Sequence, residues 1–143
     1  MMVTQKKQYA LRALFELARR KSGDPVKNHA IAQAQAIPPR FLEVIMAKLK
    51  RSGLVASKRG FYGGYVLART PADISVGEVF DALDEREKPE ECNACVGKAT
   101  CPFMSDCVFM PLWEEVQNAV DRVYAQTTLQ DLLNRDQTRG DAV

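Results

Sequence analysis

Four cysteines carry the most distinctive chemistry in this sequence. Cys92, Cys95, Cys101 and Cys107 fall in one 16-residue window with the spacing C-x2-C-x5-C-x5-C. Thiolates bind soft or borderline metals, and four of them can close a tetrahedral zinc site or hold an iron–sulfur cluster. The paired C-x2-C knuckles of a zinc ribbon are absent, and so is the C-x2-C-x2-C-x3-C run of bacterial ferredoxins. Spacing alone leaves the metal open, with a redox dithiol or plain reduced thiols as the other readings. The neighbours Pro102, Phe103, Met104, Val108, Phe109 and Met110 are apolar and suited to excluding water from a cluster. A structural disulfide framework would spread its cysteines along the chain and belongs in an oxidising compartment. His29 is the sole histidine and lies far from the cysteines, where it reads as a surface residue. No set of acids and bases stands beside the thiols, so neither an enzyme nor a small-molecule substrate is expected.

Charge separates the chain into two halves. Residues 1–70 hold 14 Lys and Arg against 3 Asp and Glu, a balance of +11. Residues 71–143 hold 6 against 15, a balance of −9. A basic half attracts phosphate and predicts salt-dependent binding to double-stranded DNA through counterion release. The acidic half should face away from it. Hydrophobic residues make up 46% of the chain, enough for a core. No apolar run approaches the ~20 residues of a membrane span. Arg12 interrupts any signal-peptide core, so a cytoplasmic protein without a membrane partner is expected.

The elements that must position these groups follow from periodicity. A first helix is predicted over about 6–20, with Ala10, Leu14 and Leu17 on one stripe. A second spans about 28–36 with Asn28 as its cap. Pro39 opens a third, which runs to Arg51 and buries Leu42, Ile45, Met46 and Leu49. Two short strands, 54–57 and 65–68, flank the loop Lys58-Arg59-Gly60-Phe61-Tyr62-Gly63-Gly64. Ser75 and Glu78 form a capping box with an Ile74–Val79 staple, starting a fourth helix to about Asp84. Pro111 opens a longer helix with the stripe Leu112, Val116, Ala119, Val120 and Val123. Thr128 and Asp131 cap a last short helix through Leu133, and the polar tail 134–143 is expected to fray.

This is the element order of a winged helix-turn-helix. The third helix would enter the major groove, with Arg40 reaching a guanine edge and Glu43 accepting from a cytosine amino group. Lys48, Lys50 and Arg51 are placed for phosphates, and Lys58 belongs to the cationic wing. Arg59 in that loop suits a minor groove.

These residues resemble a family of bacterial winged-helix transcription regulators. It includes the iron–sulfur regulator IscR, the nitric-oxide sensor NsrR, the iron regulator RirA and the cysteine-metabolism repressor CymR. The likeness runs from Thr4 to about Leu133. It is carried by Tyr9-Ala10-Leu11-Arg12, Phe41-Leu42-Glu43, Gly53-Leu54-Val55, Arg59-Gly60 with Gly63-Gly64-Tyr65, and Ile74-Ser75-Val76-Gly77-Glu78-Val79. The resemblance implies a mainly α fold with a small β-hairpin. Its parts would be a DNA-binding domain over 1–84, a cluster-binding loop over 85–110, a dimerisation helix and short C-terminal helix over 111–134, and a flexible tail over 135–143. It implies a homodimer, and a repressor whose DNA affinity responds to an iron–sulfur cluster, [2Fe-2S] or [4Fe-4S]. The signal would be iron–sulfur status, redox state or nitric oxide. Cys95, Cys101 and Cys107 match the IscR-like C-x5-C-x5-C. Glu43 and Arg59 match base-reading and wing residues; the wing departs from the family's glycine-richer pattern at the bulkier Phe61-Tyr62, where Tyr62 is expected to contact DNA differently. The fourth ligand departs from the pattern: Met110 stands where IscR-like proteins place histidine, and Gln8 where NsrR-like proteins place aspartate. Cys92 is the nearby thiolate that would take that role. A zinc or thiol–disulfide sensor, or no cofactor, is the alternative for the same DNA-binding dimer.

Overall fold

The computed structural model describes residues 3–20, 22–83, 103 and 106–141. Helix α1, Gln5–Arg19, starts where the Thr4 hydroxyl accepts the Lys7 N–H at 3.2 Å. Its apolar stripe of Ala10, Ala13, Leu14 and Leu17 is buried, as the periodicity requires. Helices α2 (Asn28–Gln35) and α3 (Pro39–Arg51) pack on it and on each other. α3 buries Leu42, Ile45, Met46 and Leu49, the four predicted positions, with Pro39 in its first turn.

The start of α2 corrects one expectation. Lys27 occupies the cap position and makes no side-chain cap bond. Asn28 is already helical, and its amide donates instead to the Pro39 carbonyl at 3.2 Å, tying the start of α2 to the start of α3. The end of α2 turns through Ala36, a non-glycine residue at φ 51° and ψ 49°. There the Ala36 N–H donates to the Ala32 and Gln33 carbonyls, and the Ile37 N–H reaches Ala32 at 2.9 Å.

Strands β1 (Val55–Lys58) and β2 (Gly64–Leu67) pair antiparallel, Val55 opposite Leu67 and Lys58 opposite Gly64. Both lie one residue from the predicted limits, because the register pairs Lys58 with Gly64 across a five-residue loop. The hairpin is also fastened sideways: Val26 and Tyr65 exchange backbone hydrogen bonds at 2.9 and 2.8 Å. A Cβ on Gly64 would lie 2.5 Å from the Val26 carbonyl, so only glycine permits this approach.

A 3-10 turn at Pro71–Asp73 leads to α4 (Val76–Asp81). Its capping box is present in both directions, and Ile74 and Val79 are both fully buried. The helix ends three residues short of its expected limit; Asp84 lies outside the described residues. Helix α5 (Met110–Gln126) contacts α4, where Tyr124 meets Phe80 edge-on at 4.9 Å. Helix α6 (Leu129–Gly140) returns to pack on α1 and the 3-10 turn. Leu129 is fully buried there, and its N–H donates to the Ile74 carbonyl at 3.0 Å. The segment beyond Leu133 therefore does not fray as expected but continues helical to Gly140. The Thr128–Asp131 capping box and the docked Leu129 supply the costly nucleus, after which elongation adds one hydrogen bond per residue.

Candidate nucleic-acid interface

The side of α3 opposite its buried stripe is a continuous exposed face. Arg40, Glu43, Val44, Ala47, Lys50 and Arg51 all lie on it. Their spacings of three, four and seven residues stack them along one side of the helix. Lys48 sits half-buried at the flank. Val44, which the helical period places off the buried stripe, is 58% exposed at the middle of this face, where an apolar group can meet a thymine methyl. Phe41 is held against Tyr9 in an edge-on contact at 5.8 Å, and the Arg12 guanidinium lies over the Tyr9 ring.

Behind this face sits a feature that sequence patterning did not reveal. The Glu16 side chain has no accessible surface. Its oxygens take Arg19 at 2.7 Å, Arg20 at 2.9 Å and the Gln35 amide at 2.8 Å. Burial pushes the Glu16 carboxyl up, but hydrogen bonds from Gln35, Arg20 and Arg19 outweigh it and hold the group below its ordinary value. Arg12 also donates to the Gln35 carbonyl. Two side chains of α1 thus grip the last residue of α2, just before the turn that aims α3.

The hairpin loop carries Lys58, Arg59, Phe61 and Tyr62, all exposed. Gly60 has φ 107°, and its carbonyl accepts the Gly63 N–H at 3.0 Å. A Cβ on Gly63 would fall 2.2 Å from the Lys58 carbonyl, so the tip closes only with glycine there. α3 and β1 pack together, joined through Ser52, Gly53 and Leu54. The structure thus sets Arg40, Glu43 and Arg51 on one helical face, with Lys48 at its flank, and Lys58, Arg59 and Tyr62 on the adjoining hairpin. Cations on such a face can neutralise phosphates, while Arg40 and Glu43 can hydrogen-bond to base edges.

Of the cysteines, Cys107 is described. It is half-buried, forms no disulfide among the described residues, and its carbonyl accepts the Met110 N–H at 3.2 Å at the start of α5. Phe103, Val108 and Phe109 around it are exposed. Cys92, Cys95 and Cys101 lie outside the described residues. Met110 opens α5, Gln8 is exposed on α1, and His29 is exposed on α2. Among the described residues, no three His, Cys, Asp or Glu side chains converge in a way that would hold a metal ion. Among the described residues, no helix is long and apolar enough to cross a membrane.

With this geometry in place, comparison with known proteins is informative. The profile of a family described as Rrf2, iron-dependent transcriptional regulator, matches residues 3–135. Protein rrf2 of Nitratidesulfovibrio vulgaris is 38% identical over 136 residues, covering 93% of this chain and 87% of that protein. Among solved structures, IscR of T. potens superposes with a TM-score of 0.77 at 32% identity, over 95% of this chain and 88% of that one. CymR, the global cysteine regulator of B. subtilis, superposes with a TM-score of 0.74 at 31% identity, over 94% and 98%.

Proposed function

This chain belongs to the Rrf2 family of transcriptional regulators, a non-enzymatic family, and on that premise we propose that it is a sequence-specific repressor whose DNA affinity is set by an iron–sulfur cluster. The observation that carries the DNA half is the exposed face of α3 beside a cationic, glycine-closed wing. Arg40 and Glu43 read base edges in the major groove, with Lys48 and Arg51 on flanking phosphates. Lys58, Arg59 and Tyr62 meet the adjacent minor groove and its backbone. The molecule acts as a homodimer through α5, so its operator has two related half-sites.

The sensor half rests on donor chemistry. Cys95, Cys101 and Cys107 would hold the cluster, with Cys92 as fourth thiolate. A half-buried Cys107 at the mouth of α5, among apolar neighbours, fits such a ligand. When bound, the cluster would supply a group whose charge and oxidation state change with redox state, iron supply or nitric oxide. Cys107 would pass that change to α5 through the backbone it shares with Met110. A zinc or thiol–disulfide sensor on the same dimer is the second reading, and Met110 and Gln8 at the family's fourth-ligand positions favour it.

Anaerobic purification tests the sensor half. A brown protein with iron and acid-labile sulfide supports the cluster, whereas a colourless one with stoichiometric zinc overturns it in favour of the second reading. Titration of duplex DNA at several salt concentrations tests the other half. Affinity that does not fall with salt would overturn DNA binding through this face.

A further inference from the structure

The wing ends in two aromatic rings that the rest of the described chain leaves in water. Phe61 is 81% exposed and Tyr62 86%. Leaving that much apolar surface hydrated is unfavourable and marks a place where something docks. The rings are held in a fixed arrangement. They meet edge-on, 5.0 Å apart at 85°. The Lys27 ammonium lies 5.3 Å from the centre of the Phe61 ring, so Phe61 is braced from α2 as well as by its neighbour. The backbone beneath closes through the Gly60–Gly63 hydrogen bond and the crowded Gly63 position. β2 is itself pinned to Val26. Tyr62 is therefore the projecting ring and Phe61 its buttress, with the cations of Lys58 and Arg59 beside them.

An apolar point set among cations fits one partner better than another. A second copy of this loop would bring Lys58 and Arg59 against like charges. A DNA minor groove offers phosphates to the cations and a stacked base step that an apolar side chain can wedge open. Resting on the DNA-binding reading above, we propose that Tyr62 is a wedge that the wing presses against a base step in the minor groove. It would partly unstack that step, with Lys58 and Arg59 gripping the flanking backbone. Unstacking is cheapest at the flexible pyrimidine–purine steps TA and CA/TG. Tyr62 would thus be a specificity-determining residue that selects operators with such a step beneath the wing, without hydrogen-bonding to any base.

The test uses the full-length protein and a duplex enriched by the wild type from a random-sequence pool, with 2-aminopurine placed at the step under the wing. Wild-type binding should raise the probe's fluorescence as the step unstacks. Tyr62→Ala should abolish that rise and weaken binding roughly tenfold on the flexible-step duplex, the size expected for loss of one aromatic stack. It should leave the salt slope unchanged, because no charge is lost, whereas Arg59→Ala should make the slope shallower by about one. Tyr62→Phe should behave as wild type, since the ring and not the hydroxyl does the work. Replacing the step by a stiff one should weaken the wild type and leave Tyr62→Ala little affected. Full affinity of Tyr62→Ala, or loss of binding by Tyr62→Phe, would overturn the wedge while leaving salt-dependent DNA binding intact. A Tyr62→Ala protein that sediments as a monomer would also overturn it, by placing the ring in a protein interface. If the wild type shows no salt-dependent affinity for any duplex, the DNA-binding reading itself fails.

Discussion

Glu16 shows how much one residue can decide here. A carboxylate on the core side of α1 is costly to bury unless it is fully paired, and this one has two guanidinium groups and an amide around it. Replacing it by Gln should cost about 2 kcal/mol at pH 7, in the range for hydrogen bonds to a charged group. The pH dependence follows in sign. Because the folded carboxyl lies below its ordinary value of 4.5, its stabilisation is fully present above that value. It is lost as pH falls through the lowered folded value. Urea unfolding between neutral and acid pH should show wild type losing more stability than Glu16→Gln in that acid range. Parallel curves would mean that Glu16 is not the group titrating. Sequence patterning does not reveal the burial of Glu16, because its partner Gln35 lies nineteen positions away, beyond any local pattern.

At the scale of elements, the α2–α3 turn and α5 stand out. Ala36 holds a left-handed conformation that a Cβ disfavours by about 1–2 kcal/mol. Glycine is the usual residue at such a helix end. Ala36→Gly should therefore raise thermal stability by the equivalent of about 1 kcal/mol, somewhat offset by greater freedom of the unfolded chain. A lowered midpoint in calorimetry would count against this. α5 has the reverse character. Its apolar stripe was legible in the sequence, yet no residue of the helix is fully buried within one chain. Leu112 is 49% exposed and Val123 60%, with Trp113 also open. A seventeen-residue amphipathic helix with so much of its apolar surface open fits the proposed two-fold interface. Leu112→Glu combined with Val123→Glu should yield a folded monomer by sedimentation, with unchanged helicity. Operator affinity should fall by far more than tenfold, since two half-sites are no longer bound together. A variant that remains dimeric would place the interface elsewhere.

Across the whole molecule, the basic half builds the proposed DNA face, and the cysteine segment lies between α4 and α5 in the chain. α5 touches α4 through Tyr124 and Phe80, and α6 returns to α1. A change at Cys107 can therefore reach the helix-turn-helix through α5, which packs on α4. Coupling between two such sites is commonly about 5–150-fold, and it is reciprocal for binding. Removing iron by anaerobic chelation should shift operator affinity within that range, and saturating operator DNA should shift the chelation equilibrium by the same factor. DNA affinity indifferent to iron content would separate the cysteines from regulation.

Short-range spacing carried the features that could be read directly from the residues. The stripes of α1 and α3, the Ser75–Glu78 and Thr128–Asp131 boxes, the glycine-punctuated wing and the charge division were all legible. Each depends on residues within a turn or two of one another, or on composition. The tertiary structure decided the rest. It moved the cap of α2 to Lys27, because Asn28 had a partner in α3. It extended α6 to Gly140, because Leu129 found a pocket against α1 and Ile74. It buried Glu16 and set Lys27 over the Phe61 ring. These outcomes turn on contacts between residues far apart in the chain, whose free energy exists only once the helices have packed.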